Sequence, residues 1–395
     1  MEIWKRNLYV CWVGAFLTSA ALSQVAPILP LYIRELGMMN LEDVAVWSGF
    51  AFGATTLVMT FVSPIWGKLA DEYGRKPMLL RASLGMAVVF GATAYITSVW
   101  ELVALRLLMG VISGYNAAAI TLIATETPRE QSGWALGTLS TGAVSGQLIG
   151  PLLGGYLVEM TGIRDNFIVM SLLMALSFLL TLRCVKEDFA RPSRKAVKSL
   201  RDLWNGLEDR RLLLWMFMTT YLVMTTLFFV QPVLTIYIGV LEGQSEHIAM
   251  LAGITFAASG ISAIVSAPRL GRLSDQIGAH KVLCAALCCG AVLSIPQAFV
   301  QSVWQLIALR FLMGISTGAM LPSINTLLRQ HIPADIAGRV FSLNQSAQFL
   351  GTFSGALLGG QVAAHAGVRV VFAVVAVILS GNAVCVYYTL WRRFA

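Results

Sequence analysis

The sequence predicts an all-α membrane protein with twelve transmembrane helices in two six-helix bundles. Three observations support this fold class: a mean hydropathy of +0.74, a charged fraction of 12% and an internal repeat. Soluble proteins carry about 25% charged residues, so a chain of 395 residues with half that fraction cannot cover a water-facing surface. Its net charge of +8 comes without a basic run interleaved with aromatic residues. No nucleic-acid partner is therefore expected.

The spans follow from charge-poor stretches of the chain. A helix crosses the hydrocarbon core with about 20 mostly apolar residues, because lipid offers no partner to unpaired backbone groups. The predicted spans 1 to 12 are 8–33, 44–66, 80–99, 101–124, 133–158, 167–185, 212–240, 248–267, 282–300, 304–327, 339–364 and 369–390. Most connections are too short to hold a soluble domain.

Residues 186–211 are the exception among these connections, since they form a charged segment between spans 6 and 7. This segment predicts a solvated cytoplasmic linker between an N-terminal bundle at 1–185 and a C-terminal bundle at 212–395. A helix lying on the membrane surface is the alternative.

Positive residues fall on alternate loops. With the N-terminus inside, only Arg34, Arg164 and Arg369 lie outside. The residues placed in the cytoplasm include Arg75, Lys76, Arg81, Arg269, Arg272 and Lys281. This bias predicts that both termini are cytoplasmic. The six cysteines lie in or beside apolar spans without metal-ligand spacing, so no metal and no cofactor are expected.

The two halves of the chain repeat each other. The pattern P-x-x-G-x-L-x-D at 64–71 recurs at 268–275, and W-x-L-x-A-L-R at 100–106 recurs at 304–310, both shifted by 204 residues. Two parallel halves related by an axis along the membrane normal build transporters with substrate held between them near the midplane. The repeat therefore predicts transport by alternating access.

The segment GKLADEYGRK at 67–76 resembles the loop 2–3 motif of the major facilitator superfamily, which the chain resembles over its full length. One departure is Glu72, where the family usually has arginine. The second copy, at 271–281, keeps Asp275 but has Ala279-His280 in place of the arginine and its neighbour. We therefore expect the second copy to be the weaker one.

The resemblance implies a cytoplasmic gate. Asp71 would accept hydrogen bonds from the N-terminus of span 11, where the helix dipole favours an anion. Arg75 would pair with Glu126 at the end of span 4, and the closed network would favour the outward-facing state. An ordinary charged turn is the alternative. The predicted gate residues are Gly67, Asp71, Gly74, Arg75, Glu126 and Asp275.

Arg106 lies several residues inside span 4, where a charge costs roughly 2.5–3.5 kcal/mol or more. Arg106 and Gly110 match the Arg-x-x-x-Gly pattern that the family associates with proton coupling. The alternative is a side chain that reaches the outer face and braces Glu101. The repeat partner Arg310 is expected to be structural.

Span 5 carries glycines at every fourth position and a proline. Small residues at this spacing let a neighbouring helix approach backbone to backbone, and a proline removes one backbone hydrogen bond and permits a bend. The pattern resembles the motif of proton-driven exporters, so the resemblance implies export. The second half has Ala356 instead of the proline, and we expect the motif to act in the first half only. Its residues are Gly142, Gly146, Gly150, Pro151, Gly154 and Gly155.

Polar, aromatic and methionine side chains within the spans predict a promiscuous, weakly polar substrate cavity, because such side chains accommodate varied apolar shapes. No acid falls in the middle of any span, which favours neutral or amphipathic lipophilic substrates. Each of these side chains could instead serve helix packing. The predicted cavity residues are Gln24, Tyr32, Asn116, Gln147, Phe228, Gln231, Tyr237, Asn344 and Gln348.

The segments PILPLY at 27–32 and WALGTLS at 134–140 resemble the MdtG-like branch of proton-coupled multidrug-efflux transporters. The expected function is a monomeric proton/drug antiporter in the bacterial inner membrane, not an enzyme. Its expected partners are a small lipophilic substrate, protons and the lipid bilayer. A sugar or nutrient transporter and a lysolipid flippase are the alternatives. An ATP-driven pump would need a phosphate-binding loop that the sequence lacks.

Overall fold

A computed structural model describes residues 2–128, 131–187, 210–243, 247–331 and 337–391. These ranges form helices and contain no β-strand. In chain order the helices are α1 (Ile3–Ser23), α2 (Val25–Glu35), α3 (Leu41–Tyr73), α4 (Arg75–Thr93), α5 (Val99–Ile112), α6 (Tyr115–Glu126), α7 (Ser132–Thr161), α8 (Ile163–Cys184), α9 (Arg210–Glu242), α10 (Ile248–Ile277), α11 (Ala279–Gln297), α12 (Val303–His331), α13 (Ala337–Ala366) and α14 (Val368–Val386). A π-helical turn, Tyr387–Trp391, follows α14.

The helices follow the twelve predicted spans, and spans 1 and 4 each consist of two helices, α1–α2 and α5–α6. Among the described residues, eight segments are long and apolar enough to cross a membrane, one of them α5 and α6 taken together, or nine when the bent pair α1–α2 is one span. The other three spans are α4, α7 and α13. Charged residues lower the hydropathy of α4, and Gly, Ser, Thr and Gln lower that of α7 and α13.

Four pairs of neighbouring helices are joined by one glycine. Gly74, Gly162, Gly278 and Gly367 have φ between +92° and +101°, a conformation that glycine adopts without a steric penalty. They occupy matching places in the two copies of the repeat. The predicted spans stop short of these turns because they end at charged residues, whereas the helices continue to the glycine. Arg81 lies inside α4, one residue past the predicted start of span 3, and its predicted cytoplasmic side stays a prediction.

Span 1 bends by 43° between α1 and α2. Pro27 has no N–H group to donate to the Ser23 carbonyl, and its ring crowds that carbonyl, so α1 ends at Ser23. Pro30 removes a second hydrogen bond in the next turn. The matching helix α9 is continuous. It contains Pro232 but has Thr235 at the position of Pro30.

The chain divides into two compact units. Unit 1 comprises Met1–Met38, Ala54–Ser193 and Glu246–Gly253, and unit 2 comprises Met39–Gly53, Arg194–Ser245 and Ile254–Ala395. The first part of α3 thus belongs to unit 2, and the first part of α10 belongs to unit 1. The predicted linker at 186–211 stays a prediction, because most of it lies outside the described residues.

The same helix pairs form the core of each unit. In unit 1, α1 packs along α7 and α4 packs along α8. In unit 2, the equivalent pairs are α9 with α13 and α11 with α14. The internal repeat of the sequence is therefore also a repeat of packing.

Candidate functional site

A carboxylate occupies the N-terminus of α4, next to the predicted gate. Glu187 accepts hydrogen bonds from the backbone N–H of Arg75, at 2.8 and 2.9 Å to its two oxygens, and from the backbone N–H of Lys76 at 2.7 Å. The unpaired N–H groups and the dipole of a helix N-terminus favour an anion there. Glu187 therefore ties the chain after α8 to the start of α4. The sequence analysis missed it by assigning it to the linker.

Asn7 is fully buried and connects α1 to two other segments of unit 1. Its Nδ2 donates to the Lys186 carbonyl at 2.7 Å, and its Oδ1 accepts from the Lys186 N–H at 3.1 Å. The same Nδ2 lies 3.5 Å from Oε2 of Glu126, at the end of α6. Asn7, which the sequence analysis did not select, therefore holds α1, α6 and the end of α8 together.

The predicted gate residues Arg75 and Glu126 lie at one end of unit 1, connected through Asn7, Lys186 and Glu187. Their direct pairing stays a prediction.

The side chains of Asp71 and Asp275 lie outside the described part of the structure, so their predicted partners are untested. Gly67 lies within α3, where an added Cβ would meet open space. Tight packing inside the described protein therefore does not explain the glycine at position 67.

Arg106 is buried in unit 1, with 3% of its surface exposed. Its guanidinium carbon lies 6.0 Å from the ring centroid of Phe167. Within the described residues, its Nε and Nη2 atoms have no hydrogen-bond partner. The Tyr32 ring packs 5.1 Å from the Phe167 ring, and the Tyr32 hydroxyl donates to the Thr93 carbonyl at 2.5 Å. The Phe167 ring lies at the outer limit of the distance for a cation–π contact with Arg106.

Glu101 caps the start of α5. Its Oε2 accepts from the backbone N–H groups of Thr97 at 2.8 Å and of Ser98 at 3.3 Å. The Ser98 side chain in turn accepts from the Glu101 N–H, which completes a capping box at the start of α5. Glu101 therefore fixes the helix end.

Unit 2 contains the same arrangement around Arg310. The guanidinium carbon lies 5.9 Å from the ring centroid of Phe372, and Tyr237 packs 5.3 Å from that ring. The Tyr237 hydroxyl donates to the Gln297 carbonyl at 3.0 Å. The two arginine clusters thus match residue for residue. We expected a proton-coupling role for Arg106 and a structural role for Arg310. These contacts do not distinguish the two arginines, so both roles stay predictions.

Tyr32 and Tyr237 are almost fully buried, and backbone carbonyls occupy both hydroxyl groups. These contacts give both tyrosines a packing role inside their units. Their predicted place in a substrate cavity stays a prediction.

Four glycines of α7 face span 1. A Cβ at any of these four would collide with a backbone or side-chain atom of that span. The contacting pairs are Gly142 with Trp12, Gly146 with Phe16, Gly150 with Ala20 and Gly154 with Gln24. On another face of α7, Gly155 meets the Ala249 carbonyl at the start of α10, and Gly253 meets the carbonyl of Pro151. The stripe therefore allows two close helix contacts.

The glycines of α13 make the equivalent contacts in unit 2. The pairs are Gly351 with Tyr221, Gly355 with Thr225, Gly359 with Phe229 and Gly360 with Ala45. The glycine packing is therefore common to both units, and the expectation that the motif acts in the first half only stays a prediction. Two positions distinguish α7, because Ala356 replaces Pro151 and Ala347 replaces Gly142.

The remaining predicted cavity residues of unit 1 differ in their surroundings. Gln24 is buried at the bend of span 1, and its Oε1 has no hydrogen-bond partner among the described residues. Asn116 Nδ2 donates to the Ser19 hydroxyl at 3.0 Å. Gln147 is exposed on α7. Gln24 and Gln147 therefore keep hydrogen-bonding capacity for a ligand.

In unit 2, the Phe228 ring packs 5.8 Å from the Phe52 ring, and both Phe228 and Gln231 are half-buried on α9. Asn344 is buried with an unbonded Oδ1, as far as the structure is described. Gln348, one turn further along α13, is half-buried. Their role in a substrate cavity stays a prediction.

Glu159 lies at the end of α7, away from Glu126. Its Oε1 accepts from the backbone N–H of Met250 at 2.9 Å, and its Oε2 lies 3.2 Å from Nδ1 of His247. Glu159 therefore caps the start of α10 within unit 1. It places a titratable group at the end of the unit opposite to the predicted gate.

Comparison with known proteins decides the family. The sequence profile described as Major Facilitator Superfamily matches residues 11–296 and 248–394. The chain belongs to this superfamily. It is similar to "Multidrug resistance protein MdtG" of Dickeya zeae (strain Ech586) and of Escherichia fergusonii. Each is 44% identical over 390 residues, covering 99% of this chain and 96% of the relative.

Solved structures of the superfamily share the fold. A bacterial homolog of the human lysosomal transporter Spinster has a TM-score of 0.79 at 13% identity, covering 98% of this chain and 97% of that one. The human organic anion transporter MFSD10 has a TM-score of 0.71 at 16% identity, covering 98% of this chain and 100% of that one. These structural matches confirm the predicted fold class, and the family match together with the multidrug resistance relatives supports a multi-span membrane transporter.

Proposed function

We propose that this superfamily member is a proton/drug antiporter that exports lipophilic compounds by alternating access. The observation that carries the proposal is the glycine stripe of α7 with Pro151, packed against span 1, because this motif resembles that of proton-driven exporters. The similarity to multidrug resistance proteins supports drugs as the substrates. The positive-inside bias supports a bacterial inner membrane protein with both termini in the cytoplasm, and we propose that it acts as a monomer.

A proton can drive transport only by binding two conformations with different affinity. Glu159 and Glu126 are acids at opposite ends of unit 1, and each accepts a hydrogen bond that joins two helices. Protonation removes the negative charge that makes such bonds strong. A proton that binds Glu159 would weaken the cap on α10, and a proton that binds Glu126 would weaken its contact with Asn7. The two ends would thereby respond to the proton concentrations of the two compartments.

Arg106 would act between these ends. A buried guanidinium with unbonded N–H atoms is energetically costly, so it favours any conformation that brings an acceptor or a negative charge close. Gln24 and Gln147 supply neutral hydrogen-bonding groups, which suits amphipathic substrates that carry few polar atoms. The drug would thus bind a weakly polar surface, while the arginine senses the protonation state of its surroundings.

Inside-out vesicles with an acidified lumen and a fluorescent pH probe test this function. Lipophilic drugs and sugars are added in turn to vesicles that contain the wild type, Arg106→Ala or Arg183→Ala. Arg183 is an exposed arginine of unit 1 and controls for loss of one positive charge. Loss of lumenal protons on drug addition, retained by Arg183→Ala and absent from Arg106→Ala, supports antiport. Proton movement with a sugar but not with drugs contradicts it.

A further inference from the structure

Span 4 is broken, whereas its repeat partner is continuous. α5 ends at Ile112 and α6 begins at Tyr115. Between them Gly114 has φ +131°, a conformation that other residues adopt only with strain. The matching helix α12 runs from Val303 to His331 without interruption. A break inside a membrane span leaves backbone carbonyls without intrahelical partners, and these need other donors.

Two side chains from neighbouring helices supply such donors. Trp66 Nε1 on α3 donates to the Val111 carbonyl at 2.7 Å. Arg81 Nη2 on α4 donates to the Ser113 carbonyl at 3.1 Å. The guanidinium carbon of Arg81 lies 3.5 Å from the centroid of the Trp66 ring, so the two donors also stabilise each other. A cation at this place complements the negative end of the α5 dipole.

Unit 2 shows that the glycine alone does not break the helix. Thr317 and Gly318 match Ser113 and Gly114, yet α12 remains helical through them. Leu270 stands at the position of Trp66 and Ala285 at that of Arg81. Neither replacement has a side-chain donor. The break therefore accompanies the tryptophan–arginine pair and not the small residues that both halves share.

We propose that Arg81 is a positioning residue for transport. Together with Trp66 it holds the break in span 4, and the break sets the position of Arg106 on α5 relative to Glu126 on α6. Transporters place interrupted helices where backbone has to move or bind during the cycle. Ser113 and Gly114 are the interruption in span 4, so a change in the relative tilt of α5 and α6 would occur there. The proposal rests on the antiport function proposed above.

Two measurements test the role of Arg81. Amide hydrogen exchange compares a peptide spanning residues 108–118 with the matched peptide 312–322 of the same molecule, in the wild type, Arg81→Ala, Arg81→Lys and Trp66→Phe. Drug-driven proton release by the same proteins in liposomes gives the turnover rate and the drug KM. Thermal unfolding identifies any variant that fails to fold, and Arg183→Ala controls for charge.

In Arg81→Ala we expect faster amide hydrogen exchange in the peptide 108–118 and unchanged exchange in the peptide 312–322. The turnover rate should fall roughly tenfold, the size of effect expected from a residue that acts through another element, while the drug KM stays within about twofold because Arg81 does not touch the drug. Arg81→Lys should recover part of the turnover rate, since it keeps one donor and the charge. Trp66→Phe should speed exchange less, since it keeps the ring under Arg81.

Unchanged exchange in 108–118, with or without loss of transport, would overturn the proposal, as would a rise in KM without a fall in turnover. Wild-type protein that releases no protons with any drug would instead contradict the proposed antiport function. The exchange experiment needs no substrate, so the two failures are distinguishable.

Discussion

The two units are built from one repeat, and they differ mainly in where their helices are interrupted. Both contain the glycine packing between a first and a fifth span and an arginine beside an aromatic ring, buried at Arg106 and half-buried at Arg310. Among the described residues, a bent first span, a broken fourth span and a proline in the fifth span occur in unit 1 and not in unit 2. The repeat thus keeps the contacts that hold helices together, while these three features belong to one copy.

The largest effect is expected where packing is shared by both units. Gly146→Val should abolish folding or transport, because its Cβ would collide with the Phe16 carbonyl, and overpacking costs about 1–3 kcal/mol or more. Gly355→Val, against Thr225, should do the same in unit 2. Yield and thermal unfolding in detergent measure the effect. Gly137→Val is the matched control, since an added Cβ there meets open space. Full tolerance of either packed substitution would contradict the shared packing.

The repeated arginines Arg106 and Arg310 are the subject of the next test. We expect Arg106→Ala to reduce drug-driven proton release to background, and Arg310→Ala to reduce it by roughly tenfold or less, corresponding to about 1.4 kcal/mol. The reason is that Arg106 alone lies on a helix that ends at a break. Rates in liposomes, normalised to folded protein, measure the difference. If both variants lost the same fraction of drug-driven proton release, Arg106 and Arg310 would have equivalent roles in transport, and the expected difference would be wrong.

Replacing the proline of α7 makes that helix resemble its repeat partner. Pro151→Ala should raise the unfolding temperature, because proline in a helix interior costs about 3 kcal/mol, and it should also slow antiport several-fold. Pro322→Ala in α12 is the control, expected to stabilise the protein without slowing transport. A Pro151→Ala protein with the wild-type turnover rate would show that Pro151 is not needed for transport.

The smallest effect is expected at the carboxylate before α4. Glu187→Gln should lower the free energy of unfolding by about 0.3–1 kcal/mol, since the amide loses the charge that the helix dipole favours. Denaturant unfolding at low and high salt measures this, and the effect should shrink as salt screens it. Glu72→Gln, at an exposed acid of α3, should leave stability unchanged. The same loss in both variants would show a general charge effect.

Much of the fold could be predicted from hydropathy and the internal repeat, because lipid permits few structures that satisfy the backbone. The resemblance of α7 to an exporter motif likewise led to its glycines. Glu187 and Asn7 were not found, because their partners lie more than a hundred residues away along the chain. The break in span 4 was also missed. Its Ser-Gly pair differs little from the Thr-Gly pair of α12, and the deciding side chains come from other helices.

Each compact unit includes a short segment from the opposite half of the sequence. Unit 1 needs the segment Glu246–Gly253 from beyond the linker, and unit 2 needs Met39–Gly53 from before it. A gene split at the linker would give two polypeptides, each lacking a piece of its own compact unit. Neither half would then be a self-sufficient folding module, and the two fragments should accumulate in cells only when they are synthesised together.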